Sequence, residues 1–319
     1  MTSPNSQTEE LDDKYLRTVF INGREYQQYS IDNQISFEPV DEDEAERLDL
    51  QHRMLSTVFD GRLVFPPIRR LRKVLDCGYG AGSWAIDVAE QNPDCEVIGV
   101  DIYPHMNPDD MPENLWLQVD DLNRSFTFSS NSFDLVHSRL LAAGINRARW
   151  PSYIRDIKRF TLIAGRYRVL KAGGWVQMVE IYFNVQSDNG SIGDEHALRQ
   201  WSSQLMRSME GIKDFRVGTR LKTLLLLAGF TEVDARMIPL PLSAWPDNPT
   251  SRSIGTMNCG NITKLLASLS LYPLTQRLHM PPTQYQDLIS RAQEEVGDRS
   301  LKAYFPLYVI QYPARYCMI

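Results

Sequence analysis

Three glycines that alternate with other residues constrain the fold of this chain more than any other feature. Before them lies the apolar run Val74–Leu75, and after them apolar residues recur at helical spacing from a start near Ser83. A second apolar run follows and ends in Asp101. This order predicts a strand, a tight turn, a helix and a second strand, which is the opening unit of an α/β sheet. The glycines are Gly78, Gly80 and Gly82.

Asp101 indicates what the turn binds. A carboxylate about 20 residues after a glycine turn, at the end of the second strand, accepts hydrogen bonds from ribose hydroxyls. A dinucleotide fingerprint would also need glycine at position 83, where this chain has Ser83. The spacing Asp76-x-Gly78-x-Gly80-x-Gly82 instead resembles motif I of the class I S-adenosylmethionine-dependent methyltransferases. We therefore expect S-adenosylmethionine as the cofactor; the alternative is a glycine-rich turn with a structural role.

The length of the chain implies additions to this unit. With 319 residues it exceeds one ordinary doubly wound domain by roughly a hundred residues. We therefore expect one Rossmann-like α/β core with extra segments. Hydrophobic residues make up 43% and charged residues 23%, as in globular proteins with a sizeable core. The net charge of −6 argues against a nucleic-acid partner.

The cysteines and the hydropathy of the chain indicate the compartment in which the protein is expected to lie. The four cysteines lie far apart and lack C-x-x-C spacing, which argues against a metal site and against a disulfide framework. No apolar run approaches the roughly 18 residues of a membrane span, and the polar start lacks the apolar core of a signal peptide. We expect a cytoplasmic or nuclear protein with no metal and no membrane partner.

A third strand, predicted at Leu115–Val119, ends in two acids. In the methyltransferase pattern, an acid at this strand end accepts a hydrogen bond from the adenine amino group. We favour Asp121 over Asp120 for this role, and a solvated acidic turn is the alternative. Two apolar residues beside the acids complete the predicted cofactor contacts, namely Ile102 and Leu122.

Candidate catalytic residues lie near the ends of the fourth and fifth predicted strands. His137 ends the fourth strand, at the edge where open α/β sheets bind ligands, and histidine titrates near neutrality. It is the first candidate for a general base and is also a predicted cofactor contact. Glu180 and His196 are weaker candidates. For each of the three, a hydrogen-bonded role in the core is the more frequent alternative.

Segments outside the core are predicted to contact the acceptor. Residues 1–14 are predicted to be disordered. An N-terminal extension spans 15–68, and its first part, from Tyr15 to Phe37, is too aromatic for a free tail and should pack on the rest of the protein. The core domain spans 69–319, and its insertion 239–303 either covers the substrate or stabilises the fold. Arg139 would orient an anionic acceptor or make an ion pair. The predicted acceptor contacts are Tyr26, Tyr29, Arg139 and Tyr182.

Longer motifs identify a family. They are ERLDLQHRMLSTVFDGRLVFPPI, VLDCGYGAGSWAIDVA, VIGVDIYP, FDLVHSR, RVLKAGGWVQMVE and DRSLKAYFPLYVI. Together they resemble the LaeA-like fungal methyltransferases, a class I family named for a regulator of secondary metabolism. The resemblance implies a seven-stranded, mostly parallel sheet in the order 3-2-1-4-5-7-6, with strand 7 antiparallel and helices on both faces. It also implies that the N-terminal extension and the insertion cover the acceptor pocket.

The chain departs from the family pattern at two places near the predicted site. Tyr79 and Ala81 stand where the family's glycine loop has threonines, which removes two hydroxyls and adds a ring beside the cofactor. The retained glycines still favour binding, and Tyr79 remains a predicted cofactor contact. About nine extra residues, Lys158 to Arg166, would displace or extend the helix before the fifth strand.

Three functions remain open at the level of sequence. The first is methyl transfer to oxygen or nitrogen of a small secondary-metabolite acceptor, by an in-line displacement that depends mainly on positioning. The second is a regulatory methyltransferase-like subunit that acts through a velvet-type protein, another methyltransferase or a homodimer. The third is a cofactor-bound fold recruited for a non-methylating cyclisation, which the altered loop at Tyr79 suggests.

Overall fold

The computed structural model describes residues 9–107, 110–128, 132–158 and 169–313, apart from the side chains of 172, 312 and 313. Two strands near the start, β1 (Thr18–Ile21) and β2 (Arg24–Gln27), form a separate antiparallel hairpin. The remaining strands form one sheet. They are β3 (Lys73–Cys77), β4 (Glu96–Asp101), β5 (Leu115–Val119), β6 (Phe133–Arg139), β7 (Leu170–Ile181), β8 (Gln186–Ser187), β9 (Asp234–Pro241) and β10 (Ala303–Pro313).

Helices precede the sheet, flank it and fill the late insertion. The α-helices are α1 (Gln28–Asp32), α2 (Glu42–Val58), α3 (Ser83–Gln91), α4 (Trp150–Lys158), α5 (Ala197–Ser208), α6 (Leu221–Leu227), α7 (Pro249–Tyr272) and α8 (Pro282–Gly297). Turns of 3-10 helix lie at Asp13–Tyr15, Val217–Thr219 and Arg299–Leu301, and a π-helical turn lies at Pro273–Arg277. Within the described ranges, no helix is long and apolar enough to cross a membrane.

The sheet has the strand order β5-β4-β3-β6-β7-β10-β9, and the short β8 pairs with the start of β10. Strands β3 to β7 pair in parallel, whereas β10 is antiparallel to β7 and to β9. Numbered as seven core strands, this order is 3-2-1-4-5-7-6 with strand 7 antiparallel. The predicted fold is therefore confirmed.

The parallel strands are apolar on both faces because helices cover both. Side chains alternate along a strand, so neighbouring residues enter opposite layers of the core. Leu75, Ile98 and Val136 pack in one layer, together with Trp150 of α4. Their neighbours Val74, Val97 and Leu135 pack in the other layer, against Trp84 of α3. The continuous apolar runs in the sequence are thus explained by burial on two sides.

The sixth core strand begins later than predicted. The sequence from Gly229 to Ile238 predicts this strand, but β9 begins only at Asp234. Gly229 has a φ of +84° and directly follows α6, and the next amide, that of Phe230, donates to Leu225 O at 3.0 Å. This left-handed glycine ends the helix, so the strand starts only after a further turn.

Two predicted segments, the disordered tail and the extra residues before the fifth strand, lie mostly outside the described residues. Of the predicted disordered tail, residues 1–8 lie outside them, and residues 12–15 form a capped 3-10 turn in which Asp12 accepts a hydrogen bond from Lys14 N. The extra residues predicted between Lys158 and Arg166 lie outside the described residues, except Lys158, which ends α4.

A buried polar network joins α2 to α7. Arg47 donates to Glu44 Oε1 at 2.6 Å from Nη2 and 2.9 Å from Nε, and to Asn261 Oδ1 of α7 at 3.3 Å. Ser268 of α7 donates to the other oxygen of Glu44. The side chains of Glu44 and Arg47 are 2% and 4% exposed. Because both charges are buried and hydrogen-bonded, the pair fixes the position of the pre-core helix on the insertion.

The variant Arg47→Met is expected to lower the free energy of unfolding by about 3–5 kcal/mol, because it leaves the carboxylate of Glu44 buried without its cation. Chemical denaturation followed by circular dichroism measures the loss. Arg53→Met is the matched control on the same helix, since its pair with Asp49 is exposed and worth less than about 1 kcal/mol. Equal losses in the two variants would contradict this role of the buried pair.

Candidate active site

A cleft opens at the carboxyl ends of the parallel strands, where open α/β sheets bind ligands. It is lined by the glycine loop after β3 and by residues that follow β4, β5 and β6. Residues of the segment 35–51 and of α7 complete the lining. Its empty volume, including the open mouth, is about 1210 Å³. Concave clefts of this kind, mostly apolar with a few polar groups, are the usual binding sites of small ligands.

The glycine loop depends on backbone conformations that other residues rarely adopt. Gly78, Gly80 and Gly82 have φ values of +75°, +59° and +85°. A Cβ on Gly78 would also lie 2.2 Å from Cδ2 of Leu141, which lines the cleft. The loop therefore brings main chain, with no side chain between, to the edge of the cleft, and Gly82 ends the loop at the start of α3.

Asp101 ties this loop to the end of β4. Its Oδ2 accepts a hydrogen bond from Gly80 N at 2.9 Å, and its Oδ1 accepts one from Tyr103 N at 3.1 Å. Burial raises the pKa of Asp101 to about 6 despite these two donors. The carboxylate lines the cleft and keeps lone pairs that can accept ribose hydroxyls, as the sequence predicts.

At the next strand end, the geometry favours Asp120 over Asp121. Asp120 lines the cleft and accepts a hydrogen bond from Asp121 N at 2.8 Å. Asp121 does not line the cleft, because its carboxylate accepts from Asn123 N at 2.9 Å and pairs with Arg124 at 3.5 Å. The preference for Asp121 is therefore not supported, and Asp120 is the better acceptor for an adenine amino group. Ile102 and Leu122, which the sequence predicts as cofactor contacts, line the cleft.

Tyr79 replaces a threonine of the family loop without filling the cleft. Its hydroxyl donates to Asn107 Oδ1 at 2.7 Å. Its ring packs on the backbone at Gly99, where an added Cβ would lie 3.0 Å from Tyr79 Cδ1. Burial raises the pKa of Tyr79 far above its usual value, so the hydroxyl stays neutral. The ring is thus held as part of the cleft wall, and Ala81 lies beside it in the lining.

Arg139 lines the cleft and is oriented by polar groups behind it. Its Nη1 donates to His52 Nδ1 at 3.3 Å, and His52 Nε2 donates to Asp87 Oδ2 at 2.8 Å. Burial and the adjacent guanidinium lower the pKa of His52, which keeps the ring neutral and able to accept. Asp76 is buried near Arg139, and burial raises its pKa to about 7. Arg139 is thus a fixed cation beside the glycine loop.

His137 lies behind the cleft rather than in its lining. Its ring is buried and stacked on Trp84 of α3, with ring centroids 3.7 Å apart. Gln177 Nε2 donates to His137 Nδ1 at 3.2 Å. Burial and the charge of Arg139 lower its pKa well below the usual value. A neutral ring beneath α3 cannot reach an acceptor in the cleft, so the geometry does not support His137 as a base or as a cofactor contact.

Glu180 holds the cleft wall instead of facing the cleft. Its carboxylate is fully buried and accepts hydrogen bonds from Leu141 N at 2.8 Å and Ala142 N at 3.2 Å. Burial raises its pKa to about 8. These bonds fix the turn after β6, in which Leu140 adopts a strained φ of +59°. The geometry gives Glu180 a positioning role and does not support it as a base.

The other predicted site residues lie away from the cleft. Tyr26 is fully buried, with its ring 5.7 Å from that of Tyr272, and Tyr29 packs 4.7 Å from Tyr15. His196 accepts from Gly193 N at 3.1 Å before α5. Tyr182 is likewise absent from the lining. Their aromatic or titratable character suggests contact with an acceptor, but the structure places Tyr26, Tyr29 and His196 in contacts outside the cleft.

Several lining residues had no signal in the sequence. They come from the segment before the core, from α2, from the chain after β7 and from α7, which are adjacent only after folding. The sequence predicts that the N-terminal extension and the insertion cover the pocket, but it does not identify the individual residues that line it. They include Ile35, Ser36, Glu38, Glu44, Arg47, Phe183, Leu265, Ser268 and Leu269.

Comparisons with known proteins agree with this geometry. A family model described as a methyltransferase domain matches residues 74–174, which include the glycine loop and Asp101. The secondary metabolism regulator laeA of Aspergillus fumigatus is 30% identical over 295 residues, which cover 91% of this chain and 75% of that protein. The chain belongs to the LaeA-like methyltransferase family. It is therefore an S-adenosylmethionine-dependent methyltransferase, and its glycine loop and buried acids fit that cofactor.

Two further similarities complete the comparison of this LaeA-like protein. The protein-methionine methyltransferase laeA of Emericella nidulans is 29% identical over 304 residues, covering 91% of this chain and 75% of that protein. A solved structure of phosphoethanolamine N-methyltransferase 2 of Haemonchus contortus, bound to S-adenosylhomocysteine, has a TM-score of 0.49 at 16% identity. The match covers 83% of this chain and 53% of that one.

Asp101→Asn should weaken the binding of S-adenosylmethionine about ten- to a hundredfold. The change keeps the size of the side chain but removes the charge, and a hydrogen bond to a charged group contributes about 1.5–3 kcal/mol. Isothermal titration calorimetry measures the affinity. Asp94→Asn, an exposed carboxylate just before β4, is the control and should bind as the wild type does. Unchanged affinity in Asp101→Asn would contradict the ribose contact.

Gly78→Ala and Gly61→Ala separate backbone strain from crowding of the cleft. Both glycines have similar positive φ values, +75° and +73°, so both variants should lose roughly 1 kcal/mol of stability. An added Cβ meets Leu141 at position 78 and meets nothing within 4 Å at position 61. We expect Gly78→Ala to lose the melting shift with S-adenosylmethionine and Gly61→Ala to keep it. A full shift in both variants would contradict the close approach at Gly78.

Proposed function

We propose that this LaeA-like methyltransferase transfers a methyl group to oxygen or nitrogen of a small acceptor with an apolar body. The proposal is carried by the part of the cleft beyond the glycine loop and Asp101, which is mostly apolar. An apolar wall favours a compact hydrophobic molecule over an extended polar peptide. The apolar residues of this part are Leu140, Leu141, Ile145, Phe183, Leu265 and Leu269.

The cofactor would be held along the strand ends. We assign the ribose to Asp101, the adenine amino group to Asp120 and the methionyl end to the glycine-loop main chain and Arg139. When bound, S-adenosylmethionine supplies a methyl group on a positively charged sulfur, which leaves as a neutral thioether. The protein then has to hold the acceptor in line with that methyl group at about 3 Å and keep water out.

We further propose that residues 15–68 and the insertion 239–303 form the cover of the acceptor site. Support comes from the lining, to which both segments contribute, and from the buried pair Glu44–Arg47, which joins them. A cover built from two distant segments would exclude water from the reacting atoms and would shape the pocket for its acceptor.

Regulation through a protein acceptor is the second candidate. The relatives from Aspergillus fumigatus and Emericella nidulans are named a secondary metabolism regulator and a protein-methionine methyltransferase. A methionine side chain is apolar and its thioether has no proton to lose, so it would suit the apolar wall without any base. This function would require a partner chain, or a second copy, to insert a side chain into the cleft.

Transfer of labelled methyl groups distinguishes the two candidates. The purified protein is incubated with S-adenosylmethionine labelled in the methyl group, with and without a panel of phenolic and polyketide-type acceptors and with a fungal extract. We expect label in the small-molecule fraction, and its loss in Asp101→Asn. Label confined to protein would favour the second candidate. A converted acceptor with no gain in mass would favour the non-methylating cyclisation instead.

A further inference from the structure

Among the residues that the structure describes, four carboxylates line the cleft, and three of them accept close hydrogen bonds from other groups of the protein. Asp101 accepts from two backbone amides, Asp120 accepts from Asp121 N, and Glu44 accepts from Arg47 and Ser268. The fourth, Glu38, has no ion-pair partner in the described part of the chain, and the hydrogen bond recorded for its carboxylate is a long one of 3.4 Å from Ser36 Oγ. A carboxylate in this state remains available to a ligand.

Glu38 lies on a loop that the rest of the structure holds rigidly. Lys213 donates to Ile35 O at 2.5 Å, and Val40 N donates to Glu25 O at 2.8 Å, so the loop is tied on both sides of Glu38. Pro39 follows and restricts the backbone of Glu38 to extended conformations. A side chain on such a loop is presented to the cleft in a limited set of positions.

The surroundings of Glu38 suit a group that exchanges a proton near neutral pH. Glu38 is half-buried, and its desolvation, followed by the charges of Glu44 and Asp101, raises its pKa to about 7, although Arg47 acts in the opposite direction. A general base works best when its pKa is close to the working pH. The charged and titratable groups that influence Glu38, or are influenced by it, are Glu44 and Arg47 of α2, Asp101 and Tyr103 after β4, Glu180 of β7, and Lys213.

We propose that Glu38 is the acceptor-side base of the cleft, and that the acceptor carries its own proton as a hydroxyl, a phenol or an ammonium group. This inference rests on the proposed function and narrows its substrate class. In the step, the O–H or N–H bond of the acceptor breaks and its proton moves to Glu38 Oε. The freed electron pair forms the bond to the methyl carbon, and the carbon–sulfur bond breaks with its pair on sulfur. A thioether acceptor would make no use of this carboxylate.

A ligand pair tests the position of Glu38 without knowledge of the acceptor. Sinefungin carries a protonated amine where S-adenosylmethionine carries its methyl group, whereas S-adenosylhomocysteine has neither group. The two compounds share the adenine, ribose and methionyl contacts, so the ratio of their affinities reports on what surrounds the methyl position. If Glu38 is the acceptor-side base, it lies within reach of the sinefungin amine and should pair with it.

Calorimetric titration of both ligands at pH 8 gives this ratio for the wild type and for Glu38→Gln. We expect the wild type to prefer sinefungin, and Glu38→Gln to lose about tenfold or more in sinefungin affinity while it keeps its affinity for S-adenosylhomocysteine. The wild-type preference should fall as the pH is lowered through about 7, where Glu38 becomes protonated. In Glu38→Gln it should not change over that range. Glu42→Gln, which removes an exposed carboxylate at the start of α2, should behave as the wild type.

The titrations distinguish a failure of the role proposed for Glu38 from a failure of the proposed function. An unchanged ratio in Glu38→Gln would overturn the role of Glu38 and leave the proposed function intact. Failure of the wild type to bind either ligand would instead contradict the proposed function. Melting curves check that Glu38→Gln is folded. If it is not, Glu38→Asp keeps the charge on a shorter side chain and should retain part of the sinefungin preference, and a complete loss of that preference would count against the proposal.

Discussion

The carboxylate of Asp101 is the interaction on which the cleft depends. Its two oxygens accept amide hydrogens from the loop after β3 and from the chain after β4, so one side chain fixes the separation of two strand ends. The glycines permit the approach, but they do not hold it in place. Burial raises the free energy of the charged carboxylate, and the two amide donors offset part of that cost. A ribose that donates to the same oxygens would offset more.

Other parts of the cleft lining are also held in place by side chains that lie outside the cleft. Arg139 is oriented by His52 and Asp87. The turn at Leu141 is held by Glu180. His137 and Glu180, which the sequence predicts as catalytic residues, thus lie behind the cleft. Residues that line the cleft, such as Arg139 and Leu141, lie close to them in the chain or are hydrogen-bonded to them. Positioning of this kind is what methyl transfer requires, because the leaving thioether needs no acid.

The glycine loop could be predicted from the sequence because its glycines have specific backbone requirements. The position of Asp101 at the next strand end could be predicted because it follows the loop at a short, regular spacing. The position of His137 could also have been anticipated. It lies two residues after Leu135 and therefore shares the face that packs on α3. Asp120 and Asp121 could not be distinguished, because the choice depends on which of the two carboxylates lines the cleft after folding. Glu38 left no pattern in the sequence, because Asp101, Glu180 and Lys213, which act on it in the folded protein, lie far away in the chain.

The contact of Ser268 with Glu44 joins residues separated by 224 positions. During synthesis on a ribosome, the glycine loop, Asp101, Asp120 and the first strands of the sheet would emerge well before α7. Until then Glu44 would lack Ser268 and Asn261 would be missing beside Arg47, and β7 would lack β10 as its neighbour. Premature termination of translation before α7 should therefore give a polypeptide that keeps the glycine loop, Asp101 and Asp120 but lacks the wall of the cleft that α7 supplies.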